Sequence, residues 1–77
     1  MDRDTLLEIM QEKKDYAEQY ISVIEPPFTM QLLCPEIDMD VEAAVLNSVI
    51  KEVFGENGHL LLSINGIDGS YGVLISK

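Results

Sequence analysis

The chain has very little of what most enzyme chemistry uses. Its 77 residues include one cysteine, one histidine and five basic residues. A single thiol, Cys34, cannot close an intramolecular disulfide, which favours a reducing compartment. The lone His59 has no second histidine with which to build a metal site or an acid–base pair. Long apolar runs are also missing: nothing approaches the ~20 residues of a membrane span. The first residues, MDRDTLLEIM, are acidic and amphipathic, unlike a secretory signal. A cytoplasmic protein is expected. The glycines at 55, 58, 66, 69 and 72 fit neither a phosphate-binding loop nor a dinucleotide fingerprint. No acid, base and nucleophile set can be assembled, so the chain is read as a non-enzyme without a cofactor.

Positive charge is the scarcest commodity. Five Lys and Arg stand against 14 Asp and Glu, a formal charge of −9. Between Lys14 and Lys51 there is no basic residue, while Asp15, Glu18, Glu25, Glu36, Asp38, Asp40 and Glu42 are all acidic. Contacts to phosphate need Lys and Arg, so direct binding to nucleic acid or an anionic membrane is not expected. The same imbalance keeps the chain soluble and steers it toward basic partners.

A chain this short buries only about 60% of its unfolded surface, so oligomerisation or binding is the natural source of extra stability. The length fits a single domain over residues 1–77. The most apolar helical stretch runs from Asp40 to Phe54. On a wheel of 3.6 residues per turn, Val45, Leu46, Val49, Ile50, Val53 and Phe54 gather on one side. That arc is wide enough to need both a sheet face and another helix. Asp38 or Asp40 is the expected cap at its start, and Gly55 or Gly58 the stop.

Residues 4–24 predict a first helix. Thr5 to Glu8 fits a capping box, with Asp4 as a rival. Leu6, Ile9, Met10, Tyr16, Ala17, Tyr20 and Ile24 form its apolar stripe, with Leu7 and Ile21 beside or outside it. Pro26-Pro27 closes the segment. Residues 28–34 predict a strand with Phe28, Met30, Leu32 and Cys34 on one face, so Cys34 reads as a small buried residue.

The last part reads as a hairpin over 59–67 and 70–77. Leu60, Leu62 and Ile64 alternate, as do Tyr71, Val73 and Ile75. Asn65-Gly66 and Asp68-Gly69 are both two-residue turn signatures. The second is preferred, because it places Ile64 opposite Val73, Leu62 opposite Ile75 and Tyr71 over Gly66. A longer loop using both glycines is the alternative. The expected architecture is a small α+β domain of order α-β-α-β-β. It has a three-stranded mixed sheet with both helices on one face and leaves the strand order open.

Two surfaces are candidates for function. Asp15, Glu18, Glu36, Asp38, Asp40 and Glu42 would form an acidic partner-binding surface. The spacing-two run from Glu36 to Glu42 lacks the turn glycine of a calcium-binding loop, so a solvated loop is expected rather than a metal site. Within it, Ile37 and Met39 are either staples to the core or exposed anchors. Such an acidic domain would occupy a basic site on another protein. By analogy of size and charge, phage and mobile-element inhibitors that imitate nucleic acid do this, as do bacterial immunity proteins. The alternative surface is the second sheet face, with Thr29, Gln31, Leu33, Leu61, Ser63, Leu74 and Ser76. Leu33, Leu61 and Leu74 would make it the contact of a homo-oligomer, such as a small phage or bacterial assembly subunit.

Overall fold

The structure is a computed structural model, which describes residues 1–63 and 69–77, the Ser63 side chain excepted. In chain order it has α1 (Arg3–Ile21), β1 (Thr29–Cys34), α2 (Ala43–Phe54), a short 3-10 turn (Gly55–Asn57), β2 (Gly58–Ser63) and β3 (Ser70–Ser76). This is the α-β-α-β-β order expected for a small α+β domain.

Leu6 on α1 is fully buried, and the helix around it is built from polar residues with one apolar stripe. It starts two residues earlier than a cap at Asp4 allows and three earlier than a cap at Thr5. The Asp2 carboxylate accepts from the Thr5 backbone N–H at 2.8 Å, leaving Thr5 and Asp4 inside the first turn. It ends at Ile21, three residues short of the prediction. Val23 and Ile24 donate to the carbonyls of Tyr20 and Ile21, tightening the last turn before the chain extends into Pro26-Pro27. The buried stripe is Leu6, Met10 and Ala17, flanked by Leu7, Ile9 and Ile21. Tyr16 and Tyr20 lie outside it, 54% and 45% exposed. They pair with each other instead, ring centroids 5.3 Å apart.

The broad apolar side of α2 is covered as its width demands. Leu46, Val49 and Ile50 are fully buried, and Val53 and Phe54 pack against them. Val45, on the margin of the arc, remains exposed. The helix begins at Ala43 rather than at Asp40, and neither Asp38 nor Asp40 caps it: Glu42 holds the cap position without a side-chain bond. One residue earlier, Val41 is pinned to the sheet by the Tyr71 hydroxyl. Gly55, at φ +73° and ψ −153°, ends the helix in an extended positive-φ conformation that favours glycine.

The sheet order is β1-β3-β2, and both pairings are antiparallel. A mixed sheet was expected. The strands flanking α2, β1 and β2, do run parallel in direction, but β3 is inserted between them. Every hydrogen-bonded pair is therefore antiparallel. The hairpin register also differs from the preferred one. Leu62 lies opposite Tyr71 rather than Ile75, Leu60 takes the place opposite Val73, and Ser63 opposes Ser70. Neither two-residue turn produces that register. Asn65-Gly66, Asp68 of the second turn and the expected position of Ile64 lie outside the described residues. The displacement is an even number of residues, so the faces survive it.

Met30, Leu32 and Cys34 of β1, Leu60 of β2, and Tyr71, Val73 and Ile75 of β3 join both helices in one core. The helices therefore share one face of the sheet. The other face carries Thr29, Gln31 and Leu33 of β1, His59 and Leu61 of β2, and Gly72, Leu74 and Ser76 of β3.

Candidate functional site

Beyond Cys34 the chain turns at Pro35, with the Ile37 N–H donating to the Cys34 carbonyl at 3.2 Å. Ile37 and Val41 then drive the acidic segment onto the core, 2% and 9% exposed. A second turn joins the Val41 N–H to the Asp38 carbonyl at 3.1 Å. The Tyr71 hydroxyl, buried, donates to the Val41 carbonyl at 2.6 Å. Central strand and acidic loop are thus tied by a hydrogen bond between residues thirty positions apart. Of the two apolar residues that alternate with the acids, Ile37 is the staple, while Met39 is exposed.

With Ile37 and Val41 inward, Glu36, Asp38, Asp40 and Glu42 all face solvent. Asp38, Asp40 and Glu42 line one shallow depression with Met1, Val41 and Val45. Among the described residues none of these three carboxylates has an ion-pair partner. Glu36 does: it meets Lys13 of α1 at 3.1 Å. That contact makes Glu36 part of a groove between α1 and β1, lined by Glu12, Lys13, Tyr16, Gln31, Leu32 and Leu33.

The other two expected acids are separate from the loop. Asp15 accepts from Gln11 along α1 at 3.1 Å. Glu18 lies 3.9 Å from Lys14 and lines a different depression, with Phe54, Ile75 and Lys77. The acidic surface is therefore not one patch. Three carboxylates form the loop cluster, Glu36 bridges to α1, and Asp15 and Glu18 lie along the helix. Sequence reasoning missed Glu12 and Tyr16, which line the α1–β1 groove. Tyr16 was placed in the buried stripe, and only its four-residue spacing from Tyr20 hinted at an outward pair.

Among the described residues no group of three or more His, Cys, Asp or Glu is placed to hold a metal ion. His59 is exposed near the open sheet face, with Lys51 Nζ 3.5 Å from its Nδ1. Cys34 is fully buried. Burial, with a smaller opposing effect of Lys13, pushes its thiol up to about 11. Among the described residues no helix is long and apolar enough to cross a membrane.

The structure does bring the three leucines of the second sheet face together. Leu33 and Leu61 lie on either side of Gly72 in the central strand, and Leu74 is the next same-face residue along it. Leu33 is 61% exposed, and Leu61 and Leu74 are half-buried.

Comparison of the chain with protein-family models, curated proteins and solved structures finds no match.

Proposed function

We propose that this chain is a non-enzymatic, cytoplasmic protein-interaction domain of the inhibitor or immunity type. Its acidic loop occupies a basic, nucleic-acid-binding site on a partner protein. The supporting observation is the combination found at Asp38, Asp40 and Glu42. They are exposed and lack ion-pair partners among the described residues, on a backbone anchored by Ile37, Val41 and the Tyr71 hydroxyl. A rigid loop loses little conformational entropy on binding, so more of its charge attraction is realised as affinity. Long-range attraction between exposed charges is screened by salt.

The test is capture of basic proteins on the tagged domain at low salt, repeated with the D38N/D40N/E42Q variant. A partner retained at low salt, released at high salt and lost with the variant supports the proposal. A partner that binds the variant equally well removes it.

A second reading has its own observation, the Leu33, Leu61 and Leu74 cluster around Gly72. There the domain is an oligomeric subunit, for instance of a phage or bacterial assembly, joined through the open sheet face. Sedimentation would then show self-association that Leu61→Lys or Leu74→Lys abolishes. A monomer at high concentration, unchanged by either substitution, removes it.

A further inference from the structure

We infer that the edge of β1 is a strand-addition site for an extended segment of a partner protein in which basic and aliphatic residues alternate. The inference rests on the proposal of a basic partner and names how that partner docks.

The free backbone groups follow from one pair of bonds. Phe28 N–H donates to the Lys77 carbonyl at 2.7 Å, and Lys77 N–H donates to the Phe28 carbonyl at 3.0 Å. A mutual exchange of this kind marks a hydrogen-bonded pair, and such pairs alternate along an antiparallel ladder. The register Thr29↔Ser76 through Cys34↔Tyr71 continues from it. Met30, Leu32 and Cys34 therefore spend their N–H and carbonyl groups on β3. Those of Thr29, Gln31 and Leu33 point away from it. β1 is an outer strand, so among the described residues the sheet supplies these groups with no partner.

The two outer strands are treated differently. By the same alternation, Gly58, Leu60 and Leu62 of β2 face outward. The Gly58 carbonyl, however, accepts from Lys51 Nζ at 2.6 Å, and a lysine laid on an edge obstructs strand addition. β1 reads TMQLLC, with no charge and no proline inside the strand. Its three outward residues are all exposed.

The chemistry beside the edge selects the partner. An added strand would alternate its side chains between the two sheet faces. On the helix side they meet the groove containing Glu12, Lys13, Tyr16 and Glu36, in which Lys13 and Glu36 pair with each other. That groove suits a Lys or Arg, whose stem can lie on the Tyr16 ring and whose charge can reach Glu12, which has no ion-pair partner among the described residues. On the open side they extend the leucine patch at Leu33, which suits an aliphatic residue. A second copy of this chain fits poorly. It carries a formal charge of −9, and its β1 offers no basic residue to the groove.

The probe is an octapeptide of alternating Lys and Val, compared with one of the same composition in which Lys and Val are segregated. Backbone amide exchange is followed residue by residue. The alternating peptide is expected to slow exchange at Thr29, Gln31 and Leu33 at least tenfold and to bind at least tenfold more tightly than the segregated one. Gln31→Pro removes an outward N–H that the sheet does not use. It should weaken binding of the alternating peptide at least tenfold, with Met30 and Leu32 amides still protected. Should Gln31→Pro unfold the sheet, the comparison of the two peptides decides alone. Equal binding of both, with no slowing at the three edge amides, overturns the edge site and leaves the acidic-loop proposal standing. No binding of either at low salt overturns both. Slow edge amides without peptide, together with a doubled mass, assign the edge to a second copy and overturn the inference.

Discussion

The hydroxyl of Tyr71 donates to the main-chain carbonyl of Val41 across 2.6 Å, joining the middle of the sheet to the acidic loop. The carbonyl it engages lies just before α2, whose first backbone bond runs from the Leu46 N–H to the Glu42 carbonyl, and the bond holds the loop against the sheet.

Tyr71→Phe keeps the buried ring and removes the donor. A buried carbonyl left without a partner costs about 1–3 kcal/mol. The expected result is a lower urea midpoint with an unchanged slope. Exchange should also quicken at the Val41 amide, whose turn to Asp38 depends on the same anchor. Wild-type stability and exchange would show that the apolar burial of Ile37 and Val41 holds the loop unaided.

The two glycines after α2 should respond differently to alanine. A Cβ on Gly58 would lie 2.5 Å from the Phe54 Cβ, so strand and helix must separate. Overpacking of this kind typically costs about 1–3 kcal/mol. A Cβ on Gly55 meets nothing within 4 Å, but φ there is +73°. Only the strain of its positive-φ extended backbone applies, about 1–3 kcal/mol. Equilibrium unfolding of both variants measures the costs. Gly58→Ala is expected also to disturb the Lys51–Gly58 bond, seen as a shift in the Lys51 side-chain resonance, whereas Gly55→Ala leaves it in place.

Cys34 gives the stability a dependence on alkaline pH. Its thiol ordinarily ionises near 9.0, and burial pushes it up to about 11. Because the folded state holds the proton more tightly, the contribution is complete below about 9. It is lost as pH rises toward 11. Wild type should therefore lose more stability than Cys34→Ala across that window, whatever the two differ by at neutral pH. Alkylation of the native thiol at neutral pH should be slow, since neither exposure nor thiolate is available. Parallel stability curves for the two proteins would contradict this.

Much of the fold was legible in hydrophobic spacing. The wide arc of Leu46, Val49 and Ile50 required covering on two sides, and α1 and the sheet supply it. Alternation in Leu60, Tyr71, Val73 and Ile75 identified the buried face. It left the register open, because any even displacement keeps those residues inward. Outside the hairpin, β2 is placed by the close approach of Gly58 to Phe54 and Ile50 of α2, a contact between helix and strand. Local turn signatures carry no information about that contact. The same limit applied to Tyr16 and Tyr20. Their spacing suits an apolar stripe, but Ala17 and Ile21 already fill the space under α1. At the candidate site, composition located the carboxylates, yet their division into a loop cluster and separate helix residues depends on Lys13 reaching Glu36.

The inserted position of β3 has a bearing on how the protein is made. Both neighbours of β3 precede it in the chain, and β1 touches β2 nowhere in the hydrogen-bonded order. During synthesis β1 and β2 emerge with no strand to pair with, and the pairing of Thr29 with Ser76 closes a long loop. Such distant contacts slow folding, because loop-closure entropy is spent before they form. The sheet therefore assembles only after Ser70–Ser76 has left the ribosome. Until then α2 has α1 but not the sheet to cover its apolar side, and a formal charge of −9 works against association of nascent copies.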